Sequence, residues 1–311
     1  MMGPRVSNRI GTYLWKGSEG KTLDEVRRYW TQNVNTTQFW TGDPRRIGSL
    51  EFFDKVGIFL EERRGYWYRL IDEAARRHPK GKVLEVGCGA GWEVVRWAQA
   101  GMDVHGIDLS HAALDLARKN LAQKSLTADL QTGNAEELPY ENDSFDVVAS
   151  LGVLHQTRST EKAIREVHRV LRPGGEAMIS MYYRYSWKIL LARVAAINFE
   201  FVHEDSPITR LYSKRDMYRL FAGFEDVEVF LGHTRATESP RSDRLARVFN
   251  RFFVPTYNLL PHFVRERFGH MVAATGRKQD RSINEPGCID ETELGREDRR
   301  TAKDSLVGRG V

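Results

Sequence analysis

Three glycines and two acids hold the chemistry this chain can do. Val83-Leu84-Glu85-Val86-Gly87-Cys88-Gly89-Ala90-Gly91 is an apolar run ending in alternating glycines. A second apolar run stops at an acid, in Gly106-Ile107-Asp108-Leu109-Ser110. The stretch 82–86 is apolar and β-branched enough for a parallel strand buried on both faces. Glycines at 87, 89 and 91 let the backbone bend sharply and let a ligand lie against bare main chain. A helix is expected to open near Trp92 and to aim its unpaired N–H groups at that ligand. Asp108, about twenty residues further on at the end of the next strand, can accept from both hydroxyls of a ribose. These features together describe a nucleoside-binding βαβ unit.

The glycine spacing chooses between ligands. A dinucleotide fingerprint needs G-x-G-x-x-G so that a pyrophosphate can reach the helix N-terminus. Here the third glycine comes one residue early, at Gly91, and Trp92 follows. Glu85 would repel a pyrophosphate but suits the cationic amino end of an amino-acid-bearing nucleoside. The string E-x-G-x-G-x-G resembles motif I of the class I methyltransferases that use S-adenosylmethionine. Three more stretches resemble the type 11, ubiquinone/menaquinone-like branch of that family. Gly133-Asn134-Ala135-Glu136-Glu137-Leu138-Pro139-Tyr140 is similar to its G-D-A-E-x-L-P-F loop, with Asn134 where Asp is commoner. Ser144 to His155 is similar to its fourth strand, S-F-D-x-V-x-S-x-x-V-L-H. Glu166 to Gly175 is similar to its E-x-x-R-V-L-K-P-G-G. The resemblance covers residues 80 to 185. It implies S-adenosylmethionine as cofactor, with Glu85, Gly87, Cys88, Gly89, Gly91, Trp92, Asp108, Leu109, Asn134, Ala135, Glu136, Leu151 and Gly152 around it.

Methyl transfer from a sulfonium is an in-line displacement that asks mainly for alignment and exclusion of water. A base helps when the acceptor is a hydroxyl or an acidic carbon. His155, just past the fourth strand, is the candidate, since its pKa class suits proton removal near neutrality. Tyr182 and Tyr183 follow the fifth strand on the same edge and could orient an acceptor oxygen or simply pack. Cys88 between the glycines reads as a small tolerated residue rather than a nucleophile. The segment S-L-G-V-L-H stands where enzymes that methylate exocyclic amines of bases or glutamine carry [DN]-P-P-[YF], so that class is not expected. The fifth strand ends in M-Y-Y-R-Y without an Asp-Asn pair, and no Cys/His set has zinc spacing, so no metal is expected.

The elements that must hold these residues read as an α/β, Rossmann-like doubly wound seven-stranded sheet, the last strand antiparallel, with a helical N-terminal cap. Residues 1–78 form that cap, rich in aromatics and opening on Thr22-Leu23-Asp24-Glu25, an N-cap followed by acids. Residues 79–278 form the methyltransferase-like domain, with helical insertions at 186–222 and 243–268. A helix is expected over Ser159–Leu171, a breaker at Pro173-Gly174-Gly175, and strands over Gly175–Met181, Phe224–Leu231 and His270–Thr275. Residues 279–311 read as a disordered tail.

At 311 residues the chain can bury a sizeable core, and its 41% hydrophobic content is that of a soluble globular protein. No run reaches the length of a membrane span, the first residues have no signal-peptide core, and two cysteines in unlike contexts fit a reducing cytoplasm. The formal charge of +5 is mild and scattered, so nucleic acid is not expected as a partner. The reading is metal-independent methyl transfer to an O, C or N atom of a small, partly apolar metabolite, secondary or quinone-like. Two alternatives stand beside it. One is a peripheral-membrane lipid methyltransferase that uses the basic, amphipathic segment 244–254. The other is a donor-binding partner protein without turnover. Oligomeric state is not readable.

Overall fold

The computed structural model describes residues 20–189, 206–232, 236 and 247–280. The elements below fall in one compact unit, 1–279. The cap begins with α1 (Leu23–Gln32), where Thr22 and Glu25 form a reciprocal capping box. A long helix follows, α2 (Leu50–Arg77), capped by the Ser49 hydroxyl accepting from the Phe52 N–H. Strands and helices then alternate: β1 (Lys82–Val86), α3 (Trp92–Gln99), β2 (Asp103–Asp108), α4 (His111–Gln123), β3 (Asp129–Thr132), β4 (Phe145–Leu151), α5 (Thr160–Val170) and β5 (Leu171–Tyr182). After them come α6 (Lys214–Leu220), β6 (Phe224–Gly232), α7 (Val254–Leu259) and β7 (Met271–Lys278).

The sheet has seven strands, the last of them antiparallel as expected, in the order β3-β2-β1-β4-β5-β7-β6. All pairs up to β5 are parallel, and β7 runs antiparallel to both β5 and β6. Strand alternation explains the two cores. Leu84, Val86, Val148, Ile179 and Ala274 face α5 and α6 through Ile164, Val167, Met217 and Phe221. Val83, Val147, Ala149, Met178 and Ala273 face the other way, onto Trp67, Ile71, Trp97 and Leu114 of α2, α3 and α4. The front half of α2 leaves the sheet and builds the cap instead, with Phe52, Phe53, Val56 and Leu60 packed on Ala90 and Trp92.

The start of one strand differs from the sequence reading. β5 starts at Leu171, directly after α5, so Pro173-Gly174-Gly175 does not interrupt the strand. It shifts the register instead, between Phe145 and Val147 of β4, as a bulge does. The polar loop 203–207 lies outside the described residues apart from Ser206 and Pro207, as does the tail beyond Asp280.

Sheet order also says where a ligand belongs. The chain turns from β2-β3 on one side of β1 to β4-β5 on the other. In open α/β sheets the crevice outside the carboxyl ends of the strands at such a switch point receives ligands.

Candidate functional site

A hollow of about 1000 Å³, its open mouth included, lies at that switch point. Its floor is the turn after β1 (Val86, Gly87, Cys88, Gly89, Ala90) and the turn after β4 (Leu151, Gly152, Val153). One side holds Ile107, Asp108, Leu109 and Ser110 from the end of β2, the other Gly133 to Glu136 from the loop after β3. The cap closes it with Leu23, Val26 and Trp30 of α1 and with Val34, Asn35 and Thr36.

The glycine bend is built by backbone need. Gly87 has φ +75°, and a Cβ there would sit 2.4 Å from the Val153 side chain. Its N–H donates to the Ile107 carbonyl at 2.7 Å, which ties the β1 and β2 ends together. Gly89, at φ +52°, faces open space. Its N–H donates to Asp108 Oδ2 at 2.8 Å, while the Ser110 N–H donates to Oδ1 at 2.8 Å. Each Asp108 oxygen thus spends one acceptor site on the backbone and keeps another for a ligand. Burial pushes the Asp108 carboxyl above its ordinary range, opposed by the backbone N–H groups around it.

Trp92 caps the hollow from the start of α3. Its indole N–H donates to Thr36 Oγ1 at 3.0 Å, so the cap is bonded to the glycine turn itself. Asn134 Oδ1 accepts from the Glu136 N–H at 3.1 Å, a local Asx turn. Glu136 Oε1 accepts from the Arg158 and Ser159 N–H groups at 2.6 and 3.2 Å and so pins this loop to the start of α5.

Of the expected donor-site residues, Gly87, Cys88, Gly89, Trp92, Asp108, Leu109, Asn134, Ala135, Glu136, Leu151 and Gly152 line the hollow. Glu85 and Gly91 are not among its walls. Gly91 is a packing glycine: a Cβ there would lie 2.9 Å from Ala117 Cβ on α4. Glu85 is 1% exposed and shares the β1 face of Val83, turned under α3, where it accepts from Trp97 Nε1 at 2.9 Å. Burial and the neighbouring Glu93 carboxylate push its pKa up to about 8, against the pull of Trp97 and Arg64.

A third acid beside Asp108 and Glu136 lines the hollow: Glu93, paired at 2.6 Å with Arg64 of α2, which lines it too. The sequence reading missed this pair. The partners are 29 residues apart on different helices, and no local pattern marks them.

His155 is also displaced from its expected place. The chain forms a 3₁₀ turn over Leu154–Gln156 that leaves Gln156, Thr157 and Arg158 on the hollow and turns the imidazole away from it. The ring is fully buried and lies 4.2 Å from Tyr182, centroid to centroid, and neither nitrogen has a hydrogen-bond partner. Burial, helped by the Arg210 charge, pushes its pKa down to about 3, so it is a neutral packing group. Tyr182 sits between His155 and His270, with the His270 ring at 5.1 Å, and likewise does not line the hollow. The Tyr183 ring lies 5.7 Å from that of Tyr185, and its backbone N–H donates to the His270 carbonyl. Among the described residues no three His, Cys, Asp or Glu side chains converge as metal ligands would.

With this geometry in place, the comparisons with known proteins are specific. Residues 84–179 match the family model Methyltransf_11, described as a methyltransferase domain. A ubiquinone biosynthesis O-methyltransferase of Pseudomonas aeruginosa (strain UCBPP-PA14) is 35% identical over 127 residues, which is 40% of this chain and 54% of that protein. A demethylmenaquinone methyltransferase of Streptomyces avermitilis is 31% identical over 121 residues, 39% of this chain and 51% of the relative. The chain spans about half the length of the curated relatives it matches. Among solved structures, the complex of the Haloferax volcanii Trm112 methyltransferase activator with a methyltransferase aligns at a TM-score of 0.50. Identity there is 21%, covering 73% of this chain and 95% of that one, and the likeness is one of fold.

Proposed function

We propose that this chain, which carries a class I methyltransferase domain of type 11 in residues 84–179, moves a methyl group from S-adenosylmethionine to a small, partly apolar acceptor. A domain of this family takes S-adenosylmethionine, whose sulfonium supplies an activated methyl group and a good leaving group. The residues present fit such a donor. Gly89 offers bare main chain with open space above it, where any side chain would intrude. The free acceptor sites of Asp108 suit a ribose diol, and Leu109, Ala135 and Val153 offer an apolar slot for a base. The Arg64–Glu93 pair suits the two charges of an amino acid, Arg64 toward the carboxylate and Glu93 toward the ammonium. Glu85, bonded to Trp97 beneath α3, lies outside the hollow and does not touch the ligand.

The protein's part in the reaction is then positioning and exclusion of water. Asp108 fixes the sugar, Arg64 and Glu93 fix the amino-acid end, and the turns after β1 and β4 set the floor against which the reacting centre lies. The wall of Leu23, Val26 and Trp30 keeps solvent out, which strengthens every polar contact inside. Among the described residues no imidazole lines this hollow, His155 being turned into the core; a proton leaving the acceptor must go to another group or to water.

The observation that carries the reading is Asp108, held by two backbone N–H groups on the rim of a switch-point hollow. Labelled S-adenosylmethionine incubated with the chain and a panel of hydroxylated and amino-bearing aromatic metabolites tests turnover. A labelled small molecule formed by the chain, and not by Asp108→Ala, supports it. Donor binding without any labelled product across the panel and a cell extract favours a partner protein without turnover. The quinone methyltransferases it resembles make phenolic, partly apolar acceptors the first compounds to try.

A further inference from the structure

The helical segment that joins β6 to β7 carries a surface the donor site does not use. β6 ends and β7 begins beside the end of β5, with Gly232, Met271 and Tyr182 in register. The connection therefore emerges at the same edge of the sheet as the hollow. From residue 247 a helix runs to Leu259, with one turn of π over Phe249–Phe253. One side is buried: Phe249, Val254 and Tyr257 pack on Trp187, the Phe249 and Tyr257 rings at 6.2 and 5.6 Å from it. The other side is apolar as well, but bare. Val248 is 49% exposed, Phe252 65% and Leu259 85%. Steps of four and seven residues put these three on one side of a helix. Leu260 and Phe263, 38% and 67% exposed, continue the bare run past Pro261.

The charges beside this run are nearly all of one sign. Between 247 and 268 stand Arg247, Arg251, Arg265 and Arg267 against one acid, Glu266. A surface for a second protein core would not need that excess of arginine. An aromatic and aliphatic stripe flanked by arginines is the composition of a segment that lies in the headgroup region of a bilayer with anionic lipids. No described helix is long and apolar enough to cross a membrane, so the segment would lie on the surface rather than span it.

We infer that residues 247–267 dock this protein on an anionic membrane surface, with Phe252, Leu259, Leu260 and Phe263 entering the interface and Arg251 and Arg267 meeting lipid phosphates. This goes beyond methyl transfer and does not depend on it.

Sedimentation of the full chain with vesicles tests it. At low salt the chain should pellet with vesicles of phosphatidylcholine plus phosphatidylglycerol and stay in solution with phosphatidylcholine alone. The double variants Phe252→Ser/Phe263→Ser and Arg251→Glu/Arg267→Glu should each weaken binding to the anionic vesicles by about tenfold or more. These side chains are exposed, so both variants should keep the wild-type melting curve and the wild-type affinity for S-adenosylhomocysteine. Failure to pellet with anionic vesicles overturns the inference, and so does pelleting that neither variant reduces. It is also overturned if the stripe joins two copies, seen as a dimer in sedimentation velocity that Phe252→Ser/Phe263→Ser dissolves while vesicles bind nothing. Pelleting by a chain that binds no S-adenosylhomocysteine would sink the proposed function and leave this inference standing.

Discussion

At the scale of single residues, two buried ionisable groups govern how this protein responds to pH. Glu85 is held up to about 8 by burial and by Glu93. A carboxyl raised in the folded state binds its proton more tightly there than when unfolded, so its contribution to stability falls as pH rises from about 4.5 to 8 and is flat above that. Glu85→Gln keeps an acceptor for the Trp97 N–H and removes the charge. Its denaturation midpoint should therefore gain on the wild type as pH climbs through that window, and parallel curves would rule out a protonated Glu85. His155 works in the opposite sense. Its pKa is lowered to about 3 from 6.5, so the unfolded chain takes up the proton first, and stability is lost as pH falls through that interval. His155→Leu should flatten this acid limb, and turnover between pH 6 and 8 should show no step that the substitution removes. These two residues also show what a sequence conceals. The motif gave Glu85 and His155 their places along the chain, but not the direction of their side chains. β1 is covered by helices on both faces, so its polarity pattern does not tell which face is open. The 3₁₀ turn that rotates His155 inward is held by Arg210, whose backbone and guanidinium donate to the carbonyls of His155, Thr157 and Arg158 from 52 or more residues away.

At the scale of elements, the bend between β1 and α3 divides its work among three glycines. Gly87 and Gly91 serve the fold, while Gly89 serves the ligand under the proposed function. Alanine at 87 adds a left-handed backbone penalty to a contact with Val153, a cost of about 3 kcal/mol that should lower the melting temperature markedly. Alanine at 89 meets nothing, so it should cost stability only the backbone term of roughly 1–2 kcal/mol while its methyl group intrudes on bound S-adenosylhomocysteine. Melting curves beside binding isotherms separate the two, and equal effects of the two substitutions on both measures would contradict this division. The strands, the glycine turn and Asp108 were legible because each rests on short-range pattern: an apolar run, a breaker, an acid at a strand end. The Arg64–Glu93 pair was not, because it depends on how α2 crosses α3. Nor was the continuation of β5 through Pro173-Gly174-Gly175, which only pairing with β4 reveals.

At the scale of the whole molecule, the cap and the sheet enclose the hollow together. Trp92 is bonded to Thr36, Gln123 Nε2 donates to the Gly48 carbonyl at 3.1 Å, and Arg64 reaches from α2 to Glu93. A ligand in this hollow touches both parts and should stabilise them as one unit. S-adenosylhomocysteine at a hundred times its Kd should add about 2.7 kcal/mol and raise the melting temperature by about 5 °C or more, in a single transition. A ligand-independent melting of the cap, ahead of the sheet, would show that the two do not close the site jointly. The bare apolar stripe and the hollow share the carboxyl edge of the sheet, so docking at that edge would set the mouth of the site near the surface it binds.

Calorimetric titration of S-adenosylhomocysteine into the wild-type chain and into Asp108→Ala measures the central claim most directly. The account predicts saturable one-to-one binding to the wild type and a loss of about a hundredfold in the variant, the scale of two hydrogen bonds to a charged group. Wild-type chain that takes up no S-adenosylhomocysteine, or a folded Asp108→Ala that binds it equally well, would contradict it.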